Sequence, residues 1–168
     1  MIAAIVAVDN NWGIGYNGEL LETIPADLKH FKDITDGYTV VMGRKCWESL
    51  PKKPLPGRMN MVISNGPRVY ESFKDDCATY WVVPMNKAID TILNDDIDDY
   101  FIIGGGQIYN QLLRFCDLVY VTKIYKDHEN VDTYFPNLDD MDDWYISSRT
   151  GIYEYNDIKY SFLTYERV

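Results

Sequence analysis

The run Ile2-Ala3-Ala4-Ile5-Val6-Ala7-Val8 constrains the fold more than any other stretch of the chain. A strand with one wet face alternates apolar and polar residues. A run that is apolar throughout must be covered on both faces, as in the middle of a parallel sheet. Tyr38 to Gly43 and Tyr100 to Ile103 repeat the pattern. Met59 to Ser64, Tyr80 to Val83 and Leu118 to Ile124 also read as strands, and Trp12 to Gly18 as a Gly-rich loop. Helical stretches lie between them. Pro25 suits a first helical turn, where its missing N–H had no partner in any case, and this helix is expected to end at Asp36-Gly37. A short helix is expected from Arg44 to Leu50, stopping before Pro51. Asn86 to Leu93 carries the stripe Ala88, Ile89, Ile92 and Leu93, and the helix after Gly106 puts Ile108, Leu112 and Phe115 on one face. Trp144 to Gly151 and Ile158 to Glu166 read as two longer strands joined by a turn near Asn156-Asp157. Strands alternating with helices predict an α/β fold: a single domain over residues 1–168, with a mainly parallel central sheet, flanking helices and a C-terminal antiparallel hairpin.

Composition narrows the function. Hydrophobic residues make up 46% of the 168, enough for a full core, and the net charge of -10 leaves no basic footprint for nucleic acid. Much of the excess lies in Asp95-Asp96-Ile97-Asp98-Asp99 and Leu138 to Asp143, which read as solvated loops. Cys46, Cys77 and Cys116 are odd in number and match no metal spacing. They are expected to be free thiols in a reducing, cytoplasmic setting, and no metal site is expected. The first residues lack the basic start of a signal peptide. No run approaches the roughly 18 apolar residues a membrane span needs. The expected state is a monomer.

An acidic protein that binds an anion needs local cations for it, and ligands of open α/β sheets bind outside the carboxyl ends of the strands. Three pieces fall there, and Arg58, at a strand start, belongs beside them. Gly104-Gly105-Gly106, between a strand and a helix, lets the backbone approach a phosphate at free N–H groups, or simply makes a tight turn. Gly43-Arg44-Lys45 puts two cations at a helix start, against the dipole unless an anion neutralises them; ordinary surface charge is the other reading. Asp27 shares a helix face with Ile24, Phe31 and Ile34, so it either complements the dipole or is a buried acid with a raised pKa. Arg58, after Pro54-Leu55-Pro56-Gly57, could grip a carboxylate with both arms of its guanidinium.

Set in order, these pieces resemble the dihydrofolate reductase family. The stretches that carry the likeness are Ile5-Val6-Ala7, Gly13-Ile14-Gly15, Ile24-Pro25-Ala26-Asp27-Leu28, Val41-Met42-Gly43-Arg44, Trp47-Glu48-Ser49-Leu50, Leu55-Pro56-Gly57-Arg58, Ile103-Gly104-Gly105-Gly106, Tyr120-Val121-Thr122 and Asp132-Thr133-Tyr134-Phe135-Pro136. They follow the family's order and spacing over residues 1–136, and the tail fits its hairpin in pattern only. Each motif alone is weak; the ordered set is specific.

The resemblance implies NADPH-dependent reduction of 7,8-dihydrofolate to 5,6,7,8-tetrahydrofolate, by hydride transfer to C6 with protonation at N5. By the same resemblance, Asp27 hydrogen-bonds the pterin and supports the proton, and Thr122 backs Asp27. Ile5, Leu28, Phe31, Leu50, Leu55 and Ile103 wall the substrate pocket. Arg58, with Lys32 nearby, binds the glutamate α-carboxylate. Ala7, Ile14 and Gly15 close over the nicotinamide. Gly43, Arg44, Lys45, Cys46, Ser64, Asn65, Gly104, Gly105, Gly106, Gln107, Ile108 and Tyr109 hold the rest of the cofactor. The Gly104–Gly105 bond is often cis in this family.

Three departures matter. The family usually has an aromatic residue at the position of Glu22, commonly after a Pro at that of Leu21. Glu22 either swings to solvent on a looser loop, shares proton and water work with Asp27, or weakens activity severely. Gln107 is neutral where an Arg often grips the 2′-phosphate, so NADPH is expected to be preferred over NADH less strongly than usual. Cys46 replaces a usual Thr. Two alternatives stand beside the reductase: a pyrimidine reductase of riboflavin synthesis, disfavoured by Asp27 and Arg58, and a non-catalytic folate- or nucleotide-binding homologue, which Glu22 alone supports.

Overall fold

Helices cover the central strands on both faces, which is why those strands are apolar throughout. A computed structural model describes residues 1–168. The strands are β1 (Ile2–Val8), β2 (Gly13–Tyr16), β3 (Glu19–Leu20), β4 (Thr39–Gly43), β5 (Met59–Ile63), β6 (Tyr70–Phe73), β7 (Ala78–Val83), β8 (Tyr100–Gly104), β9 (Leu118–Ile124), β10 (Thr133–Tyr134), β11 (Trp144–Arg149), β12 (Tyr153–Tyr155) and β13 (Ile158–Arg167). The helices are α1 (Pro25–Thr35), α2 (Arg44–Ser49), α3 (Met85–Asn94) and α4 (Gly106–Leu112). The main sheet runs β11-β13-β9-β1-β8-β4-β5-β7-β6, with β12 on β13. From β9 to β7 the neighbours are parallel; β13, β11, β12 and β6 are antiparallel additions.

Successive residues of one strand go to opposite cores. Ala4, Val41, Met61 and Ile102 pack with Ala88 and Ile92 of α3 and with Ile108 and Leu112 of α4. Their neighbours Ala3, Val40, Val62 and Phe101 pack on the other face, under Ile34 of α1 and Trp47 of α2. Each full-sized aliphatic side chain buried this way contributes about 1.5–3 kcal/mol, a gain that the alternating pattern of a one-sided sheet would halve. Helix α1 starts at Pro25 and is closed by the Asp36 N–H bonding to Lys32 O, with Gly37 following at φ +81°.

The structure corrects the sequence reading in four places. Trp12 to Gly18 is not a loop throughout: β2 pairs with β3 and β10 in a separate small sheet, and glycines had hidden these short strands. Strand β6 is exposed at every position, so it left no apolar pattern to read. The last predicted helix stops at Leu112 and tightens into a 3-10 turn, Leu113–Phe115. The tail holds three strands rather than two. Its turn at Asn156-Asp157, with φ 47° and 64°, joins β12 to β13, the positive-φ pair that a two-residue hairpin turn needs. No helix is long and apolar enough to cross a membrane.

One glycine fixes how strand ends and helices meet. A Cβ on Gly43 would lie 2.8 Å from Ile108 Cγ1, so the end of β4 can approach α4 only without a side chain there. Gly43→Ala is expected to destabilise by about 1–3 kcal/mol through overpacking, a fall of several degrees in Tm for a chain of this size. Thermal melts of Gly43→Ala alone and with Ile108→Ala test this. The double variant should recover part of the loss, because the two residues share one contact.

Candidate active site

β8 lies between β1 and β4, so the carboxyl ends of three parallel strands open side by side at Val8, Gly43 and Gly104. Candidate groups gather around this edge. Thr122 of β9 is paired with Ala7 of β1, and its hydroxyl donates to Asp27 Oδ1 at 2.5 Å. Thr122 is buried and Asp27 half-buried. Burial raises the pKa of the Asp27 carboxyl; the Thr122 hydrogen bond and the charge on His30 oppose it without cancelling it. His30, one turn along α1, stacks on Phe162 with ring centroids 3.9 Å apart. Burial lowers its pKa, against the charges of Asp27 and Asp33. Nothing in the sequence linked His30 to the site except its spacing of three from Asp27.

Further along α1, Arg58 is only 5% exposed. Its Nε donates to Pro56 O at 2.9 Å and its Nη1 to Thr35 Oγ1 at 3.1 Å, and the guanidinium lies 5.7 Å from the Phe31 ring centroid. No acidic side chain comes within ion-pair distance of it, and Nη2 has no protein partner. Burial lowers its pKa, and the charge of Asp36 opposes this without cancelling it. A mostly buried cation with no direct ion pair is costly unless a ligand supplies one. Ile103, Leu50 and Leu55 pack against the core on the α1–α2 face and stay half-buried, as does Phe31; Ile5 is buried, while Leu28 and Lys32 are exposed. Leu50, Leu55 and Ile103 thus share one face of the sheet. They leave apolar surface beside two charged anchors, Asp27 and Arg58.

At the same edge, the turns that follow β4 and β8 suit an extended phosphate-bearing ligand. Helices α2 and α4 begin at Gly43 and Gly105 with no side-chain cap on their first N–H groups. Arg44 and Lys45 are exposed; Arg44 meets Glu48 at 2.9 Å, and Lys45 has no ion pair. A Cβ on Gly105 would touch nothing within 4 Å, so this turn faces open space. The Gly104–Gly105 bond is cis. Ser64 is half-buried, and Asn65 and Gln107 are exposed. These residues fit a dinucleotide with phosphates. Three predicted members serve differently. The Ile108 side chain fills the core against Gly43, and the buried Tyr109 hydroxyl donates to Ile5 O at 2.7 Å, so both could offer a ligand only backbone. Cys46 is largely enclosed, and burial pushes its thiol pKa up to about 11, so it is no thiolate.

Ala7 is half-buried, Ile14 is buried, and Gly15 sits in β2. This segment is tied to the chain around Asp132 to Phe135 by hydrogen bonds. Gly15 and Gly13 pair with Thr133 and Tyr134, the Asn17 N–H donates to Asp132 Oδ2 at 2.9 Å, and the Phe135 N–H to Trp12 O at 2.8 Å. Glu22 neither swings free nor joins Asp27. It accepts from Lys126 at 2.9 Å and meets His128 at 2.9 Å, and it is not among the charges that shift Asp27. Sequence reasoning passed over Asp9, Lys126 and His128, because their partners lie more than a hundred residues away. No cluster of three or more His, Cys, Asp or Glu side chains could hold a metal ion.

Comparison with known proteins bears on the same geometry. The family pattern described as dihydrofolate reductase matches residues 1–167. A dihydrofolate reductase of Bacillus subtilis (strain 168) is 38% identical over 168 residues, covering 99% of this chain and 95% of that protein. The dihydrofolate reductase of Schistosoma mansoni is 39% identical over 152 residues, 80% of this chain and 77% of that one. A bifunctional dihydrofolate reductase-thymidylate synthase of Daucus carota is 38% identical over 185 residues; this chain spans 33% of its length. Given a match along nearly the whole length, and a parallel sheet whose open end gathers the motif residues, the chain belongs to the dihydrofolate reductase family.

Proposed function

We propose that the chain reduces 7,8-dihydrofolate to 5,6,7,8-tetrahydrofolate with NADPH as the reductant. The observation that carries this reading is the pair of anchors along α1: a carboxyl enclosed beside Thr122, and a buried guanidinium near Phe31 and Thr35 that makes no direct ion pair. A folate offers a group to each, a polar pterin at one end and a glutamate carboxylate at the other.

Asp27 would bind the pterin's donor groups and support the proton, since burial raises its pKa and so favours the protonated form. Protonating the imine nitrogen of the substrate makes the adjacent carbon a better hydride acceptor. Thr122 fixes the carboxyl's orientation through its hydroxyl. Phe31, Leu50, Leu55 and Ile103 exclude water around the reacting ring, which strengthens every polar contact within. The segment bearing Ile14 and Gly15 would cover the nicotinamide. Arg44, Lys45, the uncapped α2 and α4 starts and the open Gly105 turn would hold the phosphates. Bound NADPH supplies the hydride; the chain supplies position, dryness and the proton.

The test is oxidation of NADPH and of NADH by the purified chain with dihydrofolate. Turnover with both is expected, with kcat/KM higher for NADPH by about tenfold, less than a site with a further Arg in place of Gln107 would give. Equal efficiency would remove Arg44 and Lys45 from the 2′-phosphate site, and tight folate binding without turnover would overturn the enzymatic reading. The single-domain, monomeric and cytoplasmic reading goes with this proposal, and sedimentation of the purified chain tests its monomeric part.

A further inference from the structure

Away from the substrate anchors, charged side chains from three separate segments converge on one imidazole. Asp9 follows β1, Glu22 precedes α1, and Lys126 and His128 follow β9. His128 Nδ1 lies 3.1 Å from Asp9 Oδ2, and His128 Nε2 lies 2.9 Å from Glu22 Oε1. Lys126 Nζ reaches the same Glu22 oxygen at 2.9 Å. The cluster is largely enclosed: the side chains of Asp9, His128 and Glu22 are 1%, 11% and 18% exposed.

The protonation of the ring follows from its partners. Burial pushes both carboxyls up, but hydrogen bonds outweigh it: the Gly13 and Asn11 N–H groups and His128 for Asp9, Lys126 and His128 for Glu22. Both therefore end below their ordinary pKa values. An ionised carboxylate presents only lone pairs, and a neutral imidazole has one N–H and one lone pair. A neutral ring would thus turn a lone pair on one of the two carboxylates. Only a ring carrying both protons satisfies both contacts.

Its surroundings complete the balance. Lys123, over the Trp12 ring at 4.9 Å, feels the charges of Asp139 and Asp9. Asp127 accepts from Asn11 Nδ2 at 3.3 Å, and Glu129 is exposed beside it. Lys126 and the doubly protonated ring supply two positive charges against Asp9 and Glu22.

We propose that His128 is a positioning residue: as an imidazolium bridging Asp9 and Glu22, it latches the segment between them, which carries Ile14 and Gly15, onto the chain that follows β9. Loss of the ring's two contacts loosens the latch. Lys126 keeps one hold on Glu22, and Asp9 keeps its backbone donors, so the segment slackens without unfolding. An ionic tie thus replaces the aromatic packing expected at position 22. The catalytic consequence rests on the reading that this segment covers the nicotinamide.

The test is amide hydrogen exchange of the ligand-free protein. Wild type, His128→Asn and Glu22→Gln are compared. Protection factors at Gly13 to Tyr16 should be about tenfold lower in His128→Asn than in the wild type, the scale of one charge-assisted hydrogen bond partly open to solvent. Glu22→Gln, which keeps shape and removes one charge, should fall between. In parallel, KM for NADPH should be higher in both variants than in the wild type, with kcat less affected. Protection that survives in both variants overturns the latch. A chain that never oxidises NADPH overturns the reductase reading instead, while the exchange result still decides the latch.

Discussion

Asp27→Asn is expected to lower kcat with dihydrofolate about 10²- to 10⁴-fold at neutral pH, the range for losing a positioned proton-transfer group, while leaving Tm equal or higher. The two effects have one cause. Burial raises the Asp27 pKa against the Thr122 hydrogen bond and the His30 charge, so the folded chain holds this proton more tightly than the unfolded chain does. Stability then falls as pH rises from the unfolded value through the folded one, because the charged carboxylate must sit where it is poorly solvated. Below the unfolded value the penalty is absent. Asn carries no charge, and its side-chain oxygen still accepts from Thr122 Oγ1, so the penalty disappears at neutral pH with the geometry kept. Thermal melts at about pH 5 and about pH 8 should show the variant's advantage growing with pH. The rate should move the other way. Wild-type kcat should decline as pH rises through the raised Asp27 pKa, whereas the variant, dependent on protons from solvent, should keep gaining toward acid without a plateau. If Asp27→Asn lost Tm and activity together, Asp27 would be a structural partner of Thr122 and the proton role would go elsewhere.

That pairing also shows what the sequence could and could not disclose. Two-sided burial was legible in β1, β4 and β8, because a strand under helices on both faces must be apolar at every position. Asp27 stood out as a carboxylate on an apolar helix face, a local contradiction of the kind that functional sites carry. Strand β6 stayed hidden because its burial is nil and its partner alone makes it a strand. Strands β2 and β10 stayed hidden because two to four residues are too few to show a period, and they exist through pairing across more than a hundred residues. Glu22 was legible as an anomaly and not as a contact: what neutralises it, Lys126 and His128, is near only after the fold has formed. Local physics writes itself into spacing; long-range charge pairing does not.

Arg58→Leu should raise KM for dihydrofolate about 10²-fold and leave kcat nearly unchanged. A charge-assisted hydrogen bond to a carboxylate contributes about 1.5–3 kcal/mol, and each 1.4 kcal/mol is tenfold in affinity. The contact lies at the far end of the substrate from the reacting carbon, so it is equally strong in the ground and transition states, and its loss appears in KM. A pterin substrate lacking the glutamate should be used equally by wild type and variant, which separates loss of a carboxylate grip from general damage to the cleft. Arg58→Lys keeps the charge but not the two-armed geometry and should fall between, at about tenfold. Stability argues in the same direction. Arg58 is 5% exposed and makes no direct ion pair, so in the free protein it is a desolvated cation held by Pro56 O, Thr35 Oγ1, the Phe31 ring and the more distant charge of Asp36, which does not cancel the cost of burial. Leu fills similar apolar space without that penalty, and Thr35 Oγ1 stays satisfied by donating to Phe31 O at 2.8 Å. The variant should therefore melt no lower than wild type, and folate should stabilise it far less, since ligand stabilisation scales with RT ln(1 + [L]/Kd). A large drop in Tm without ligand would instead make Arg58 a brace between α1 and the turn before β5, and the substrate's carboxylate would have to be sought at Lys32.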